Sequence, residues 1–119
     1  MSEHFSLLDR YLETGDLKRA EILIARLLRA ENELPGERAN ILLRRARVRL
    51  LAEKPDDALE DLQMSYSLQP ELAGSAEALE LSGDIYFARF ELASVGFAER
   101  ADADRALECY EALIAREPD

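Results

Sequence analysis

Apolar residues recur every three or four positions along nearly the whole chain and do not alternate one by one. That spacing predicts amphipathic helices and no strands. Leu7, Leu8, Tyr11 and Leu12 form the first stripe, which stops at Glu13-Thr14-Gly15-Asp16. Gly15 suits the left-handed residue that ends a helix, and Asp16 suits the cap of the next. Ala20, Ile24, Leu27 and Leu28 mark a second helix that ends near Pro35-Gly36, and a third is expected from about Glu37 to Glu53. Pro55 fits a first helical turn, with Asp56 and Asp57 complementing the positive end of the dipole, so a fourth helix runs from there toward Pro70. Ser75 caps a fifth, and a sixth is expected from about Asp102 to Glu117.

These helices read as three copies of one unit. Ala20, Ala58 and Ala106 each sit early in an even-numbered helix, and Ile24, Leu62 and Tyr110 follow four residues later. Pro70 and Pro118 close the second and third copies, giving a unit of about 38 residues, a period at which repeats stack into arrays. The pattern resembles the tetratricopeptide repeat family. Leu7, Tyr11, Gly15-Asp16, Ala20 and Ile24 carry the likeness in the first copy. Leu79, Gly83, Tyr86, Ala106, Tyr110, Leu113 and Pro118 carry it in the third. The second copy departs from it in its first helix, where Arg45 or Arg47 stands in place of a small or apolar residue. The resemblance implies an all-α superhelix, an α-solenoid of three helix–turn–helix hairpins at about 1–36, 37–72 and 73–119. It also implies a protein–protein interaction scaffold, whose first helices line a concave groove that holds extended peptides. Family members that clamp chaperone C-termini carry a Lys and an Asn on the first helix. Phe5 and Asp9 stand here, so that specificity is not implied.

The third copy carries eleven extra residues, 90–100, Phe-Glu-Leu-Ala-Ser-Val-Gly-Phe-Ala-Glu-Arg. Eleven residues turn a helix through about three full turns and advance it roughly 16 Å. Tyr86, Phe90, Ala93 and Phe97 then keep one line, and the expected result is an elongated fifth helix with no matching extension of the sixth. Phe90, Leu92, Val95 and Phe97 on such an arm need cover, from a second copy of the chain or from a foreign partner. The alternative is that Ser94-Val95-Gly96 breaks the helix and the following residues fold back to complete the domain's own core.

The third helix carries five arginines against one glutamate over residues 37–51. Ala39, Leu43, Ala46 and Leu50 form one apolar face and Ile41 and Val48 a second, as suits a helix sandwiched between neighbours. By the family resemblance Arg44 faces the groove, accompanied by Arg47 in one alignment and Arg45 in the other. These guanidinium groups would hold an acidic peptide by bidentate hydrogen bonds. The competing reading is that Asp9, Glu13, Glu77, Glu80 and Asp84 on the flanking helices neutralise them.

Composition narrows the classes. At 119 residues the chain is one domain able to bury its own core. A net charge of −10 argues against nucleic acid and anionic membrane as partners. The lone Cys109 pairs with nothing in the chain, which favours a reducing cytoplasm, and the first residues lack the basic and apolar regions of a signal peptide. No enzymatic chemistry, cofactor or metal is expected. His4 has no companions, Cys109 lies mid-helix, and Asp102 and Asp104 lack the glycine and oxygen donors of a calcium loop, leaving Asp102 as a helix cap. The expectation is a non-catalytic scaffold for a protein or peptide, with homodimerisation open. The alternative is a structural or assembly segment of a longer array, since the chain stops directly after the third copy with Leu107 and Ile114 facing the next position.

Overall fold

The computed structural model describes residues 2–29, 35–92 and 97–116, with side chains at 5–29, 37–91 and 101–116. Among the described residues there are six α-helices and no strand. They are α1 (Ser2–Thr14), α2 (Leu17–Arg29), α3 (Pro35–Leu51), α4 (Pro55–Leu68), α5 (Ala76–Leu92) and α6 (Phe97–Arg116). A 3₁₀ turn at Pro70–Gly74 joins α4 to α5. No helix among them is long and apolar enough to cross a membrane.

The first two hairpins turn by the same device, 38 residues apart. Gly15 (φ 76°) and Glu53 (φ 63°) both adopt the left-handed conformation just past a helix end. In each turn the following N–H reaches back to satisfy a carbonyl of the last helical turn: Asp16 N–H bonds Tyr11 O at 2.8 Å, and Lys54 N–H bonds Arg49 O at 2.8 Å. The neighbouring bonds, Gly15 to Leu12 and Glu53 to Leu50, complete the double closure that a helix C-terminus prefers. The Asp16 carboxylate then accepts from Arg19 N–H at 3.2 Å and caps α2, and Ser75 Oγ accepts from Ala78 N–H at 3.2 Å and caps α5. Pro at the first position starts both α3 and α4, where its missing N–H costs nothing.

Consecutive helices pack along the chain, and α3 also meets α5. The interior has two apolar clusters. Leu8, Ala20, Ile24 and Leu27 pack on Ile41 and Val48 of α3. On its other side α3 presents Leu43 and Ala46 to Ala58 and Leu62 of α4 and to Ala78, Leu81 and Ile85 of α5. The two faces expected of the third helix are therefore both buried. Burying a single Leu or Ile is worth about 2 kcal/mol, so neither face can be opened cheaply. Ala20 and Ala58, each the fourth residue of its helix, are buried where a small side chain lets helices approach, whereas Ala106, expected early in the sixth helix, is buried at the tenth residue of α6.

The third hairpin departs from expectation. α5 ends at Leu92 and spans 17 residues, the same as α3, so it is not elongated relative to its equivalent. α6 begins at Phe97 rather than near Asp102 and, at 20 residues, is the longest helix among the described residues. Of the eleven extra residues, 90–92 close α5 and 97–100 open α6. Residues 93–96, and with them Val95, lie outside the described residues, as do the side chains of Leu92 and Phe97. Asp102, expected as a cap, lies inside α6 and is buried, with Arg89 Nε of α5 at 3.6 Å. Arg89 also reaches Asp56 of α4 at 3.2 Å. An arginine one hairpin arm away has captured the carboxylate that a turn at 101–102 would have used.

α5 and α6 approach closely at Gly83. A Cβ built there would lie 2.5 Å from Cε1 and 2.8 Å from Cδ1 of Tyr110. That ring is pinned by its hydroxyl, which donates to Asp84 at 2.6 Å, so it cannot swing aside without losing the bond. Gly83→Ala is therefore expected to destabilise the protein by about 1–3 kcal/mol, although alanine is the better helix former by about 1 kcal/mol. Urea denaturation followed by circular dichroism checks the sign.

Candidate functional site

An open groove of about 430 Å³ lies between α1, α3 and α5. α3 forms its floor with Leu43, Arg44, Arg47, Leu50 and Leu51; α1 contributes Asp9, Leu12 and Glu13; α5 contributes Glu77, Glu80, Leu81 and Asp84. The spacing on each helix explains why these side chains converge. Positions 9, 12 and 13, positions 43, 44, 47, 50 and 51, and positions 77, 80, 81 and 84 each occupy one helical face.

Of the three arginines singled out on α3, two reach the groove. Arg44 lies against α1: its Nε donates to Asp9 Oδ1 at 3.0 Å and its Nη2 to Asp9 Oδ2 at 3.4 Å, while the guanidinium carbon sits 4.3 Å from the Phe5 ring centroid. A third contact, Nη1 to Asn40 O at 3.3 Å, completes its environment, and only 16% of the side chain remains exposed. Arg44 is thus held inside the fold. Arg47 is exposed on the groove floor and makes no ion pair with any described residue.

Arg45 requires a correction. It points away from the groove to α4, where its Nε and Nη2 donate to the two oxygens of Asp61 at 3.0 and 2.8 Å. Arg49, one turn on, brings Nη1 to the same carboxylate at 3.0 Å. Asp61 is fully buried, so its charge depends on these two guanidinium groups. Beside it, the buried Ser65 hydroxyl donates to Ala39 O at 2.7 Å. Arg47 rather than Arg45 therefore accompanies Arg44 at the groove, and Arg45 serves the α3–α4 contact instead. Asp61 was not singled out from sequence. The signal lay in its spacing: 58, 61, 62 and 65 share one face of α4, so Asp61 sits among inward positions.

Five carboxylates line the groove against two guanidinium groups. Asp9 is engaged by Arg44, and Asp84 accepts the Tyr110 hydroxyl. Glu13, Glu77 and Glu80 are exposed and make no ion pair with any described residue. Burial first, and then the Asp84 carboxylate, push the Tyr110 phenol above its ordinary value. The expected neutralisation of the arginines occurs for Arg44 but overshoots: the groove keeps a negative excess.

The remaining candidates disperse. Phe90 is 40% exposed near the end of α5, its ring tilted against that of Phe87 at 6.3 Å between centroids. Leu107 and Ile114 stand out from α6 at 57% and 71% exposure. Cys109 is half-buried, and burial raises its thiol pKa, which favours the unreactive protonated form. The His4 side chain lies outside the described residues. Among the described residues, no cluster of three or more His, Cys, Asp or Glu is arranged to hold a metal ion. Comparisons with known protein families, curated proteins and solved structures found no match.

The division of labour on α3 is testable. Replacing Arg45 and Arg49 together by alanine strands the Asp61 carboxylate in the interior and is expected to cost about 3 kcal/mol. Arg47→Ala, at an exposed position, is expected to stay within about 0.5 kcal/mol of the parent. Chemical denaturation of both variants measures the difference.

Proposed function

We propose that the chain is a non-catalytic protein–protein interaction scaffold, built as three stacked tetratricopeptide-like hairpins, that holds a peptide segment in the groove between α1, α3 and α5. The observation that carries this reading is the groove itself, which combines a leucine floor with charged walls. Leucines 12, 50 and 51 offer apolar contact, with Leu43 and Leu81 buried beneath them, and the charged side chains between them can fix the register of a bound chain. Two further observations support the stacked arrangement. The α1–α2 and α3–α4 turns repeat the same left-handed closure at an offset of 38 residues, as do buried Ala20 and Ala58. The radius of gyration, 14.7 Å, also exceeds the roughly 13.5 Å of a compact chain this long, as a stack would. A reducing cytoplasm suits the single free Cys109.

Selection from a random peptide library displayed on phage tests the proposal. Selected peptides are expected to shift backbone amide resonances on the facing sides of α1, α3 and α5, and Leu51→Ala, at an exposed position of the floor, is expected to weaken them at least threefold. Failure to select any peptide, or shifts confined to α6, would overturn it.

The exposed apolar positions on α5 and α6 favour a second reading, that of an assembly segment. Phe87, Phe90, Leu107 and Ile114 give these helices apolar surface that water covers poorly. Light scattering across a wide concentration range discriminates the two. A dimer that Phe90→Ser together with Ile114→Ser returns to monomer supports assembly, and a monomer at every concentration removes it.

A further inference from the structure

The character of the groove's walls says more about its occupant than its shape does. Glu77, Glu80 and Asp84 fall at i, i+3 and i+7 on α5, a carboxylate stripe about 10 Å long. Glu13 faces from the α1 side. Among the described residues no carboxylate engages Arg47 on the floor, while Arg44 is committed to Asp9 and Phe5. A ligand entering this groove meets leucines below and uncompensated carboxylates at the sides. An acidic segment would be repelled by both walls and could pair only with Arg47.

We infer that the groove takes a cationic amphipathic peptide, an extended segment in which Lys or Arg alternates with large apolar residues. This rests on the scaffold reading and adds the chemistry of the partner. An extended chain advances about 3.3 Å per residue and points alternate side chains to opposite sides. Cationic groups two residues apart therefore fall about 6.6 Å apart, so two of them fit within the stripe, whose carboxylates follow one another at a rise of about 4.5 and 6 Å. The intervening apolar side chains are directed away from that stripe, toward Leu12 of α1 and the accessible Leu50 and Leu51 of α3. The negative field of the whole chain assists encounter but would attract cations anywhere, so the test has to separate the groove from the general surface.

Three blocked peptides of about ten residues serve as probes: alternating Lys and Leu, alternating Gln and Leu, and alternating Glu and Leu. Binding is read by fluorescence anisotropy at low and moderate salt, with amide chemical shifts to locate the contact. The Lys/Leu peptide is expected to bind at least tenfold more tightly than the Glu/Leu peptide, and to weaken as salt rises. Glu77→Gln with Glu80→Gln is expected to cost at least fivefold in affinity. Asp57→Asn with Glu60→Gln, the same charge change on exposed positions of α4 outside the groove, is expected to leave it unchanged. Equal loss in both double variants, or tighter binding of the Glu/Leu peptide, would overturn the inference. If the Gln/Leu peptide binds in the groove as well as the Lys/Leu peptide, the charge argument fails while the scaffold reading stands. If no probe shifts the groove amides, both fall.

Discussion

Everything in this molecule is arranged around a helix that is buried on two sides. α3 gives Ile41 and Val48 to one apolar cluster and Leu43 and Ala46 to the other. With two flanks committed to the core, its polar side chains can emerge only along the lines between them. That is why a run of arginines, which would be unremarkable on a surface helix, is sorted here into separate roles. Arg45 and Arg49 leave on the α4 side and meet Asp61, whereas Arg44 and Arg47 leave on the groove side.

The sorting has an electrostatic consequence. Most of the positive charge on α3 is consumed within the fold, by Asp61 on one line and by Asp9 on the other. Ion pairs that keep one partner half-exposed, as Asp9 is beside Arg44, contribute little to stability, about 0–1 kcal/mol, and their effect lies in what they leave over. What they leave over is carboxylate. The glutamates of α1 and α5 that share the groove exceed the guanidinium groups available to them, so a helix rich in arginine forms the floor of an acidic groove. Tyr110, anchored on α6 and packed against Gly83, holds Asp84 from behind and ties the groove wall to α6.

Much of this was legible in the sequence, and the limits of that reading are physical. Helices are visible because a buried face imposes a period, and the turns at Gly15-Asp16 and Pro55 because few residues suit those backbone positions. The two faces of α3 could be counted directly. The third hairpin was misplaced because Ala101-Asp102 resembles Gly15-Asp16 locally. The deciding partner, Arg89, belongs to another helix and has no local signature. Asp61 hid in a string of acids that reads as solvent-facing until the positions are counted from Ala58. The groove's sign depends on which side chains of three separate helices pair first, and no spacing within one helix reveals that.

The claim on which the account turns is that α3 is a shared wall, so that both clusters stand or fall with it. Native-state hydrogen exchange measures this directly. The account predicts that the amides of residues 41–48 exchange most slowly, and only by global unfolding, with the protected amides of α2 and α4 opening at the same free energy. If α1 and α2 instead open as one unit and α4 to α6 as another, with α3 exchanging by local opening, the shared wall does not exist.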